Sequence, residues 1–210
     1  LYVRYGRIVT MYRVTFINNT SVKRRGGGLV METVSKCSVQ NSTFLSNKAK
    51  SGGGLYAWNG RVINMCRVIF LNNSWGGIQM RWISIYSAQY SSFIGNKAEI
   101  SGGAISFKYG HTILSISRVI FINNTASRVG GAIQIVSYSI SKCSVQYSSF
   151  IENKAQKGGG AICAEKGHIK LHIINVRFIK NVALLMEGGG ILANKISMCS
   201  IHNSTFWGNR

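Results

Sequence analysis

The stretch FIENKAQKGGGAI, Phe150 to Ile162, places an aromatic, an asparagine and three glycines within thirteen residues. Taken alone, its glycines resemble a phosphate-cradling loop. Such a loop needs Gly-Lys-Ser/Thr and a following helix, whereas Gly160 is followed by Ala161 and Ile162. The rest of the chain gives these glycines another meaning, because the stretch is one copy of a repeat. F-x-x-N recurs at Phe16, Phe44, Phe70, Phe93, Phe121, Phe150, Phe178 and Phe206, at spacings of 28, 26, 23, 28, 29, 28 and 28 residues. Between each pair lies a glycine cluster that ends in Leu29, Leu55, Ile78, Ile105, Ile133, Ile162 or Ile191.

Aligned on these marks, the chain shows a period of two. The aliphatic residue after the glycines and the one two places on are apolar in every copy, from Leu29/Met31 through Ile133/Ile135 to Ile191/Ala193, while the residue between them varies. That pattern is a strand with one buried face. It recurs seven and five residues before each Phe, from Val9/Met11 through Leu114/Ile116 to Cys199/Ile201. A third short segment carries the Phe and the residue two before it. The step from five before to two before is odd, so a bend must turn the chain there. Three short strands per coil with no helical period predict an all-β fold, a right-handed parallel β-helix of about 7.5 coils. Identical positions would stack ~4.8 Å apart, giving a rod of roughly 35 Å. No linker or change of composition interrupts residues 1–210, which read as a single domain. The start at Leu1 and the lack of distinct end coils suggest a fragment of a longer chain without its caps.

In this frame the asparagines form a polar ladder at one corner, the Phe rings stack, and small residues occupy a tight turn. The turn column runs Gly28, Gly54, Gly77, Ala104, Ala132, Ala161, Gly190. A finer alternation gives a super-repeat of two coils. The residue two before Phe runs Val14, Ser42, Val68, Ser91, Val119, Ser148, Val176, Ser204. Arg13, Arg67 and Arg118 fall in one column of odd coils, and Lys48, Lys97 and Lys154 in one column of even coils. Charges two coils apart are ~10 Å from one another, close to the screening length at physiological salt. These six residues are the candidate anion-binding positions.

The eight F-x-x-N motifs and the Gly-Gly-Ala-Ile runs at Ile105, Ile133 and Ile162 cover essentially the whole chain. Together they resemble the repeats of the chlamydial polymorphic outer-membrane proteins and their relatives. The resemblance implies a surface-exposed or secreted β-helical stalk, used in adhesion or as an autotransporter passenger, located extracellularly or at an outer membrane. The expected function is a non-catalytic stalk or adhesin-like segment whose basic columns meet an acidic polysaccharide or another cell-surface partner.

The alternative is a carbohydrate-active β-helix enzyme of the pectate lyase or polygalacturonase kind. Such enzymes need paired carboxylates, or a carboxylate cluster for a hard cation. This chain has no Asp, and its five Glu (Glu32, Glu99, Glu152, Glu165, Glu187) do not stack on neighbouring coils. His111, His168, His172 and His202 show no ligand spacing. The expectation is therefore no catalytic or metal site, no cofactor and no enzyme. Cys37, Cys66, Cys143, Cys163 and Cys199 lack CxxC spacing and are expected mostly as small core residues. Lys and Arg outnumber acids 25 to 5, a net charge of +20, which favours anionic partners without specifying nucleic acid. No apolar run is long enough for a membrane-spanning helix. N-x-S/T sequons at Asn18, Asn41, Asn72, Asn123 and Asn203, with an overlapping one at Asn19, are candidate glycosylation sites. Unpaired coils at both ends predict end-to-end self-association of the fragment.

Overall fold

The computed structural model describes residues 1–23, 25–110, 112–137, 141–185 and 187–210. Every strand pairing in it is parallel, and strands pair with their counterparts in the neighbouring repeats, on both sides in the inner coils. The chain is therefore a solenoid of stacked coils, as the apolar columns predict. One coil shows the plan. A glycine strand, Ile105–Lys108, is followed by a middle strand, Ile113–Ser117, and a Phe strand, Ile120–Ile122. A fourth strand of two residues, Thr125–Ala126, adds to the three expected. It forms because the turn at each ladder asparagine carries the next residue back into pairing, as in the bond from the Lys48 N–H to the Asn19 carbonyl at 2.9 Å. In two coils the glycine and middle strands run together, as Leu55–Cys66 and Ile78–Gln89.

The corners are sharp because single residues there adopt left-handed backbone. One such column ends the glycine strands (Thr33, Asn59, Trp82, Tyr109). A second separates the middle and Phe strands (Arg13, Asn41, Arg67, Tyr90, Arg118, Tyr147). A third follows the Phe strands (Asn18, Asn72, Asn123, Glu152). The second is the bend required by the odd step in the apolar pattern. One left-handed residue reverses which face points inward, so that Val119 and Phe121 enter the same core as Leu114 and Ile116.

The core is a set of columns. Phe44, Phe70, Phe93, Phe121, Phe150 and Phe178 are fully buried. Successive Phe rings are stacked with centroids 4.5 to 5.1 Å apart and planes within 12° of parallel. The asparagine ladder beside them leaves no amide group idle. Asn124 Oδ1 accepts from the backbone N–H of Asn96 at 3.1 Å and from Asn96 Nδ2 at 3.0 Å. Its own Nδ2 donates to the Phe93 carbonyl and to Asn153 Oδ1, both at 2.9 Å. The same four bonds recur at Asn47, Asn73, Asn96, Asn153 and Asn181.

The Val/Ser alternation also has a physical cause. Ser148 Oγ donates to the Gln146 carbonyl at 2.7 Å and accepts the Val119 N–H from the preceding coil at 3.2 Å. Ser42 and Val14, Ser91 and Val68, and Ser204 and Val176 repeat the arrangement. Each even-coil hydroxyl thus satisfies a buried N–H of the odd coil before it. The glycine cluster divides its labour in a similar way. In Gly130–Gly131–Ala132, Gly130 has φ +66, and a Cβ on Gly131 would stand 2.1 Å from the Gly160 carbonyl oxygen. The third position needs only a small residue, and Ala104, Ala132 and Ala161 are buried there.

The cysteines are free. Cys37, Cys143 and Cys163 are buried, Cys66 is half-buried and Cys199 exposed. Burial pushes the three buried thiols up to about 12.

Two measurements test this account. Asn124→Leu, which removes four hydrogen bonds of the ladder and leaves the Asn96 N–H without an acceptor, is expected to cost about 3 kcal/mol in urea unfolding, and Ser148→Ala, which orphans mainly one N–H, about 1 kcal/mol. The reverse order would contradict the ladder's role. Under native alkylation near neutral pH, Cys66 and Cys199 should be the thiols that label, with Cys37, Cys143 and Cys163 reacting only after unfolding.

Candidate functional site

The candidate residues lie at two of the corners. Arg13, Arg67 and Arg118 occupy the left-handed bend before the Phe strands, with φ of 53 to 55°, and all three are exposed. The structure supplies partners that the apolar columns do not reveal. Tyr90, at the same bend one coil on from Arg67, lies between two guanidiniums, with Arg67 Cζ 5.8 Å and Arg118 Cζ 5.4 Å from its ring centre. Arg118 also covers the Tyr147 ring at 5.5 Å and donates from Nη1 to the Tyr90 hydroxyl at 3.1 Å. The result is an interleaved ladder, Arg67–Tyr90–Arg118–Tyr147. Each contact is worth about 0.5–1 kcal/mol at an exposed site, enough to hold guanidiniums in place without burying them. Arg13 stands apart from this ladder. Asn41 fills the intervening coil, and Arg13 packs on Tyr12 of its own strand at 5.0 Å. The QYSSF runs of the even repeats carried the signal for Tyr90 and Tyr147.

Lys48, Lys97 and Lys154 begin the short strands and are exposed. Pairing places Ser74 between Lys48 and Lys97, and Thr125 between Lys97 and Lys154, so the lysines sit two coils apart as the alternation predicts. The two basic columns do not merge. Between them lies the outer face of the Phe strands, where Ile17 (51 %), Ile69 (42 %) and Ile120 (43 %) are exposed. The surface is therefore basic, aliphatic and basic again. Among the described residues one ion pair is present, Arg4 Nε to Glu32 Oε2 at 3.7 Å, so the positive charge is largely uncompensated within the chain.

A family model described as a right-handed β-helix region matches residues 28–206. The chain belongs to the right-handed β-helix family. No curated protein and no solved structure matches it.

In this β-helix, Glu32 and Glu165 share one column but are separated by five coil steps, roughly 24 Å. Glu152 lies at the corner after a Phe strand, away from that column. His172 Nδ1 is 2.8 Å from Ser200 Oγ, and His168 Nδ1 is 3.3 Å from Ser197 Oγ, both between adjacent coils. His111 lies outside the described residues. Among the described residues no three His, Cys or Glu side chains gather as metal ligands, and no helix is long and apolar enough to cross a membrane.

Five of the sequon asparagines, Asn18, Asn41, Asn72, Asn123 and Asn203, sit at left-handed corners and are exposed. Asn41 and Asn203 share the Arg corner, while Asn18, Asn72 and Asn123 follow the Phe strands on alternate coils. Asn19 differs, because its Nδ2 donates to Asn47 Oδ1 at 2.9 Å within the ladder. Passage of the chain through a eukaryotic secretory pathway should therefore add glycan at Asn72 and Asn123 and leave Asn19 unmodified, as read by peptide mass. Modification of Asn19 would show that the ladder opens at that coil.

Proposed function

We propose that this β-helix is a non-catalytic, surface-exposed or secreted stalk of the polymorphic outer-membrane-protein repeat type. In this reading it is adhesin-like and holds an acidic polysaccharide along its basic columns. The observation that carries the proposal is the exposed Arg67–Tyr90–Arg118–Tyr147 ladder. Guanidiniums suit carboxylate and sulfate groups because their forked donors match two oxygens at once. Tyr contacts keep them extended, and the rings between them offer a face on which sugars can stack. The two-coil rise of ~10 Å between successive arginines is also close to the length of an extended disaccharide unit. A polymer with one acidic group per disaccharide could meet this column in step. The dispersed glutamates support a binding rather than a bond-cleaving role, since hydrolysis needs two carboxylates across one bond.

Binding of a heparin-like polysaccharide, followed by calorimetry over a range of salt, tests the proposal. Affinity should fall steeply as salt rises. Replacing Arg67 and Arg118 by Gln should weaken it by roughly tenfold or more. Unchanged affinity in that variant would remove the ladder from the site, and absence of binding at low salt would leave the stalk a spacer.

A further inference from the structure

A second group of cations lies on the outer face of the glycine strands, away from both corner columns. Arg81 and Lys108 stand directly opposite each other on adjacent coils, with Trp58 opposite Arg81 on its other side. Two like charges in that relation repel, and both side chains are half-buried. Burial holds the Lys108 ammonium below its usual range, Arg81 and Arg128 push it the same way, and Glu165 opposes them. Glu32, farther along the column, is occupied by the Tyr2 hydroxyl at 2.8 Å and by Arg4.

Two donors in this group lack a partner. Tyr56 is the diagonal neighbour of Arg81 on the same outward face, and it is fully buried with its hydroxyl unbonded. Arg81 Nε is likewise buried and unbonded. Burial keeps the Tyr56 proton in place, so the hydroxyl remains a donor. Arg25, reaching over from the bordering loop, covers the Tyr56 ring at 4.8 Å. That border is thinnest at the Arg81 coil, where only Trp75 and Gly76 separate the bridge residue Ser74 from Gly77 at the strand entry.

A chain gains nothing by folding cations against each other and orphaning donors beside them unless something between them accepts. We propose that this face is a binding site for a tetrahedral oxyanion, a sulfate or phosphate group, held by Arg81 and Lys108 with Tyr56, Arg25 and Arg128 around it. Several negative oxygens on one compact group would accept from Arg81 Nε and from the Tyr56 hydroxyl and would convert the Arg81–Lys108 repulsion into a shared attraction. The group could be the free ion or an ester carried on a sugar. In the second case Trp58, exposed beside Arg81, would meet the ring. The site does not depend on the polysaccharide ladder.

The test titrates the chain with inorganic phosphate and with inorganic sulfate at constant ionic strength in chloride, read by calorimetry and by Tm. Saturable binding near one equivalent with a rise in Tm is expected. Lys108→Met should raise the Tm of the chain measured in chloride, because it removes the repulsion, yet weaken phosphate by roughly tenfold. Tyr56→Phe should leave the fold intact and also weaken phosphate. A merely structural Lys108 would give the opposite result, a lower Tm in chloride, and would overturn the proposal. So would a phosphate-induced shift that survives both substitutions, or no shift beyond that of chloride. A sulfated monosaccharide distinguishes the sources: tighter binding than inorganic sulfate with a change in Trp fluorescence assigns an ester, and equal binding assigns the ion. The Arg67→Gln, Arg118→Gln variant should keep the phosphate response, and its loss there would place the anion on the ladder instead.

Discussion

The asparagine ladder is the constraint on which the remainder depends. At the turn after each Phe strand, a coil must bury a backbone N–H with no strand partner in reach. One amide side chain per coil supplies that acceptor and gives the Phe carbonyl a second bond, accepting from the coil before and donating to coils on either side. The arrangement works only when neighbouring coils present the same residue at the same height. Stacking of the Phe rings, the close approach of the glycines and the pairing of every strand all follow from that shared height. An error in one coil's register would orphan groups in three coils, which is why length varies mainly in the loops between the short strand and the next glycines.

The two-coil unit has a different origin. A backbone N–H at the bend is satisfied by the serine of the following coil, and the serine's own proton goes to a carbonyl two residues back. Valine in one coil and serine in the next is the smallest pattern that closes these bonds while keeping half of the column apolar. Once coils alternate there, neighbouring surface positions can alternate too. In the four middle coils Arg67 and Arg118 at the bend alternate with Tyr90 and Tyr147, so these cations are spaced by rings rather than stacked on each other. Where the alternation of surface residues lapses, as at Arg81 and Lys108, like charges meet directly.

Much of this was legible in the residues. The apolar columns, the bend, the small-residue turn and the spacing of the Arg13, Arg67, Arg118 and Lys48, Lys97, Lys154 columns can be read by aligning the copies. Tyr90 and Tyr147 were present in the same alignment, but nothing in an apolar period marks an aromatic that faces outward. The Arg81–Lys108 pair was harder still, since periodicity reports the inward face and the outward positions carry no repeated identity.

The sequence by itself determined the coil, because burying a Phe, an Asn and two alternating apolar strands every 28 or so residues permits few other arrangements. Tertiary structure decided which polar and charged side chains meet. A hydroxyl reaching the N–H of another coil, a guanidinium settling over a ring, and a tyrosine buried without a partner each depend on atoms more than twenty residues apart. Only the stacking of one coil on the next brings those atoms within a few ångströms.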